Sequence, residues 1–154
     1  MKQAKGSHDC VAAVAAMATS TTIEKFKEFF GQKDAYSDWE AYIYFMLHGY
    51  TLGVGVNIEN GVDPNKVVFR IDLDIIQFPA YIVVESETIE GATHAIYWDG
   101  EIHDPNPDSP DGRSFSSYKI KKIMPISKVK DFTNCERNKI ISLATCLYHG
   151  EVGG

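Results

Sequence analysis

Apolar residues in the first third of the chain recur at helical spacing, whereas in the second half they alternate or run together between Pro, Gly and Asp breaks. The stretch HDCVAAVAAMATS, residues 8–20, is Ala-rich and free of Gly and Pro. It predicts a buried, small-faced helix from about Asp9 to Ala18, with Cys10 in its first turn. The capping pattern Thr21-Thr22-Ile23-Glu24 announces a second helix, in which Ile23, Phe26, Phe29 and Phe30 share one face before Gly31 stops it. A third opens at Ser37-Asp38-Trp39-Glu40 and runs to Gly49, with Trp39, Tyr42, Tyr44 and Phe45 read as core.

YTLGVGVNI, residues 50–58, has β-branched character but two glycines, so a strand, a bulge and a loop bordering a cleft all remain open. Strands are expected at KVVFRIDL, AYIVVES, HAIYW, EIHD and YKIKKIMPI. A capping box at Thr133-Asn134-Cys135-Glu136, followed by Ile140, Leu143, Ala144 and Leu147, predicts a last helix. It would cover one side of the sheet or offer a surface to a second copy of the chain. Helices first and strands later predict an α+β fold, with N-terminal helices packed on an antiparallel sheet and a C-terminal helix. At 154 residues the chain fits one domain, residues 1–154.

A net charge of −6, with no basic cluster beyond KIKK at 119–122, argues against nucleic acid as a partner. No apolar run approaches membrane-spanning length and the N-terminus lacks a signal-peptide core, so a cytoplasmic protein without membrane contact is expected. Three cysteines, Cys10, Cys135 and Cys146, form no CxxC pair, which argues against a disulfide framework and a zinc ribbon. A mixed metal site drawn from His8, Cys10, His94, His103 and Asp104 is a minor alternative, because His-x-Cys is not a usual zinc spacing.

The hairpin THAIYWDGEIHDPNP, residues 93–107, carries the candidate chemistry. A two-residue Asp99-Gly100 turn would set Ile96 against His103 and point Asp104 away from His94. A three-residue loop, Trp98-Asp99-Gly100, instead pairs Ile96 with Ile102 and places His94 opposite Asp104. Matching apolar with apolar favours this register by roughly 0.2 to 1 kcal/mol per pair. A carboxylate bonded to one imidazole nitrogen fixes the tautomer and makes the other nitrogen a better base. Cys10 is the candidate nucleophile, because the free N–H groups of a first helical turn and a nearby imidazolium both favour a thiolate.

The order Cys10, His94, Asp104, with DCVAAVAAM opening a helix and HAIYWDGEIHDPNP on later strands, resembles the papain-like cysteine peptidases. Within them it looks most like the small bacterial and phage-encoded relatives of the double-glycine (bacteriocin-leader) peptidases. The resemblance implies a papain-like fold and a thioester on Cys10, with His94 as general base and then acid and Asp104 orienting it. It also implies that Gln3 and the Cys10 backbone N–H form an oxyanion hole. No cofactor is implied, the substrate is a peptide or protein, and the setting is a bacterial or phage-infected cell. Two departures stand out: Val11 follows the cysteine where the family has glycine, and Gln3 lies seven positions before Cys10, one more than expected. Asn106 competes with Asp104 as orienting residue, and the register above favours Asp104. Taken singly, such residues are ordinarily a small buried hydrophobe, a satisfied polar group and a turn; their conjunction argues for a site. The same triad serves an amidase or acyltransferase, and a scaffold without turnover that binds a partner protein is the reading from another class.

Overall fold

In the computed structural model the described residues are 1–53, 56–57, 78–114, 117–129, 135–136, 138–139 and 142–143. Helix α1, Cys10–Thr19, is buried around most of its circumference, with Val11 to Ala16 all in the core. Its small side chains let neighbouring elements close in on several sides, which is why an almost wholly apolar helix forms without a polar face. It stops at Ser20, which takes the left-handed conformation (φ 56°) while its N–H reaches back to the last turn.

Helix α2, Ile23–Phe30, is capped by the Thr22 hydroxyl accepting from the Lys25 N–H, and it buries Phe26 and Phe30. Helix α3, Asp38–Leu47, has the full reciprocal box between Ser37 and Glu40. Tyr44 and Phe45 are core, as the sequence predicts, but Trp39 and Tyr42 are not, being 59% and 37% exposed. The buried face of α3 is built on Ala41, Tyr44 and Phe45, which leaves positions 39 and 42 outward, where the two rings stack at 5.5 Å.

The strands are β1 (Tyr50–Leu52), β2 (Val56–Asn57), β3 (Ala80–Glu85), β4 (Thr93–Trp98), β5 (Ile102–His103) and β6 (Ile120–Lys128). They form one antiparallel sheet in the order β1-β6-β3-β4-β5, with β2 also paired to β6. The fold is therefore α+β. Gly53 follows β1 because a Cβ there would lie 2.8 Å from the Pro125 ring. The predicted strand at residues 66–73 lies outside the described residues. In the predicted last helix, Cys135, Glu136, Asn138, Lys139, Ser142 and Leu143 are helical and Leu143 is exposed, while Ile140, Ala144 and Leu147 lie outside the described residues.

Strand β3 is buried on both faces and reads as the continuous apolar run AYIVV. Tyr81 and Val83 join α1–α3 in the larger core, while Ala80, Ile82 and Val84 join Ile96, Trp98, Tyr118 and Ile123 in a smaller one on the other face. Along β6 the pairing jumps from Lys122 opposite Val83 to Ile120 opposite Val84, a bulge that keeps both Ile120 and Ile123 on the second face. Among the described residues no helix is long and apolar enough to cross a membrane.

Candidate active site

Cys10 is the first residue of α1 and is half-buried, so it stands at the end of the helix where the first N–H groups have no intrahelical acceptor. The preceding Asp9 stands at the N-cap without capping, because its carboxylate is turned to an ion pair with Lys27 of α2 at 2.7 Å. The hydrogen bond that the Lys27 ammonium donates to this buried carboxylate holds it above its ordinary range. A negative charge beside the cysteine is thereby compensated.

His94 lies near the start of β4, and its Nε2–H donates to Asp104 Oδ1 at 2.6 Å. The register that brings them together is not the expected one. Trp98 pairs with Ile102 and Tyr97 with His103, so the loop is Asp99-Gly100-Glu101 rather than Trp98-Asp99-Gly100. Two physical terms shift it. Trp98 stays in the strand and is buried to 7% exposure, and Asp99 makes the turn itself by accepting from the Glu101 N–H, with Gly100 at φ 108°. A displacement of two positions preserves the face, so Asp104 is a diagonal neighbour of His94 instead of its direct partner.

Asp104 follows β5 and is buried, with both of its carboxylate oxygens hydrogen-bonded. Oδ1 also takes the Asn106 N–H at 2.9 Å, and Oδ2 takes the Tyr118 hydroxyl at 2.7 Å. Burial alone would raise its carboxyl, but the bonds from His94, Tyr118 and the Asn106 backbone outweigh it and hold the group at about 2. Burial likewise works against a charged His94. The hydrogen bond to Asp104, then the hydrogen bond and charge of Cys10, overcome this and lift the imidazole to about 9. With Nε2 committed to Asp104, Nδ1 is the nitrogen left for the thiol. Asn106, the competing orienting residue, has its side-chain oxygen occupied by the Asp108 N–H at 3.0 Å.

Gln3, Cys10, His94 and Asp104 all border one cleft of about 810 Å³. The Gln3 side-chain Nε2 donates to the Ser7 carbonyl at 2.6 Å, and its buried Oε1 has no partner among the described residues. The cleft is walled by residues 35–38, the ends of β3 and β4, and the segment 104–108. The described part of YTLGVGVNI does not border it, because β1 and β2 pair with β6 on the opposite side of the sheet from β5. Val11 is buried in the main core and touches the cleft floor. His8 is exposed and His103 bonds Asp99 at 2.8 Å; among the described residues no group of three or more His, Cys, Asp or Glu side chains could hold a metal ion.

Three residues that the sequence pattern did not single out attach to Asp104 and its loop. Tyr118 and Arg113 approach Oδ2, the latter at 3.9 Å, and Lys2 Nζ donates to the carbonyls of Asp104, Asn106 and Ser109 at 2.8, 3.3 and 3.1 Å. Tyr118 opens the YKIKKIMPI run and reads there as one more strand aromatic. No family model, curated protein or solved structure matches this chain.

Proposed function

We propose that the protein is a papain-like cysteine hydrolase that cleaves a peptide or isopeptide bond through a thioester on Cys10. The observation that carries this reading is the hydrogen bond from His94 to Asp104 on a cleft, large enough for an extended peptide segment, that Cys10 at the start of α1 also borders. In the first step His94 Nδ1 takes the thiol proton, the sulfur attacks the carbonyl carbon, and the proton passes to the departing amine. Water then attacks the thioester with His94 again as base, releasing the acid and restoring the thiol. Asp104 keeps Nε2 protonated and stabilises the imidazolium that forms. The Cys10 N–H and the Gln3 amide are assigned to the developing oxyanion, where one donor contributes roughly 3 to 4 kcal/mol in other enzymes. The choice of peptide over another amide follows the resemblance of the DCVAAVAAM and HAIYWDGEIHDPNP segments.

The test is competitive labelling with iodoacetamide, mapped by peptide mass spectrometry from pH 5 to 9. An ordinary thiol is only about 0.3% ionised at pH 6. Cys10 is expected to react roughly 100-fold faster than Cys135 at that pH and to lose this advantage in His94→Ala. Equal rates at Cys10 and Cys135 across the range would overturn the catalytic reading.

A further inference from the structure

We propose that Tyr118, held in place by Arg113, is a positioning residue for the Cys10–His94 pair, acting through the second oxygen of Asp104. This rests on the acyl-transfer reading above and adds two residues to it.

Both donors to Asp104 other than Tyr118, the His94 ring and the Asn106 N–H, fall on the same oxygen, Oδ1. A carboxylate held on one oxygen can pivot about its Cβ–Cγ bond, and the imidazole bonded to it turns as well. The Tyr118 hydroxyl on Oδ2 blocks that rotation. Tyr118 is itself 8% exposed and packed in the smaller core with Ile96 and Trp98, so its hydroxyl cannot drift. Its ring carries the Arg113 guanidinium 3.9 Å above the centroid.

Arg113 is fixed from several directions. It makes a two-pronged contact with Glu87 at 2.5 and 3.2 Å, and it donates to the hydroxyls of Ser109 and Ser117 and to the Ser117 carbonyl, each at 3.1 Å. Such an anchored cation serves as a lid on the phenol, and its charge lies 3.9 Å from Asp104 Oδ2. The charged or titratable groups around the carboxylate are thus His94, Tyr118 and Arg113, with the Lys2 ammonium on its backbone carbonyl. Partners that orient metal-ligating side chains typically change affinity or activity by about 10- to 100-fold when removed, and the lower end of that range is the expectation for this carboxylate.

The experiment compares Cys10 labelling by iodoacetamide in the wild type, Tyr118→Phe and a control, Tyr97→Phe, from pH 5 to 9, and follows the His94 Nε2 proton by NMR. Expected for Tyr118→Phe is a fall of about 10-fold in the Cys10 rate at pH 6. The slowly exchanging Nε2–H signal should broaden, while the Cys135 rate stays near wild type. Tyr97→Phe should keep the wild-type profile and a sharp signal. If Tyr118→Phe does not fold by circular dichroism, Arg113→Met decides, with a smaller loss of the same sign expected. A wild-type Cys10 that reacts no faster than Cys135 sinks the acyl-transfer reading itself. A fast wild type, with an unchanged rate profile and Nε2–H signal in the folded variant, leaves that reading standing and overturns this inference alone.

Discussion

Asp104 receives donors from three separate parts of the chain: His94 on β4, Tyr118 before β6, and the N–H of Asn106 two residues on. Removing the carboxylate takes the acceptor from a buried phenol and a half-buried imidazole N–H. Asp104→Ala should therefore lower the unfolding free energy by about 2–4 kcal/mol at pH 7. The same change should abolish the low-pH reactivity proposed for Cys10. Asp104→Asn keeps an acceptor while losing the charge, so its stability loss should be the smaller of the two. Urea titrations of the three proteins check this, and an alanine variant as stable as the wild type would show that the contacts contribute little. At this scale the sequence carries the Cys10, His94 and Asp104 positions, since helix-opening cysteine and hairpin spacing are local signals. Tyr118, Arg113 and Lys2 lie 14, 9 and 102 positions from Asp104, and no local pattern says that they will meet it.

Element positions followed from periodicity and capping, and departures arose where tertiary packing chose among locally equivalent options. The hairpin loop moved by one position because Trp98 is buried within the strand, yet the His94–Asp104 pair survived, since a slip by two keeps a residue on its face and a slip by one does not. The β6 bulge hides from pattern reading, because Ile120 and Ile123 share a face three residues apart. Trp39 and Tyr42 read as core by composition, and only the direction of the α3 stripe turns them out. A tie between helices bears on the site as well. The Lys27–Asp9 pair fastens α2 to the N-terminus of α1, with Asp9 only 8% exposed. Lys27→Met would leave that carboxylate unpaired beside Cys10. It should cost about 1–3 kcal/mol in stability and slow Cys10 labelling several-fold at pH 6. Thermal melts and labelling rates measure the two effects, and an unchanged labelling rate would mean that the Asp9 charge does not reach the thiol.

The cleft lies where three parts of the molecule join: the start of α1, the ends of β3 and β4, and the segment from residue 104 to 108 that the N-terminal residues Lys2 and Gln3 bind down. Protonation at this junction must therefore register in the stability of the whole fold. His94 titrates near 6.5 in an unfolded chain and at about 9 in the native state, so its contribution is complete below about 6.5 and is lost as pH rises through about 9. Asp104 moves the other way, from 3.8 down to about 2, so its contribution is complete above about 3.8 and is lost as pH falls through about 2. Both are in force together only between about 4 and 6.5. The alkaline limb is the informative one, since ordinary acid denaturation also destabilises through other carboxylates. With Cys10 replaced by Ser, so that the thiol proton released in the native pair no longer offsets the one held by the imidazole, the unfolding free energy should decline by on the order of 1–2 kcal/mol between pH 6.5 and 9, and this decline should flatten in Cys10→Ser/His94→Gln. Urea unfolding at half-unit pH steps measures both curves. Parallel curves for Cys10→Ser and the double variant would show that the imidazole is not held protonated by Asp104, and would remove the electrostatic basis of the proposed chemistry.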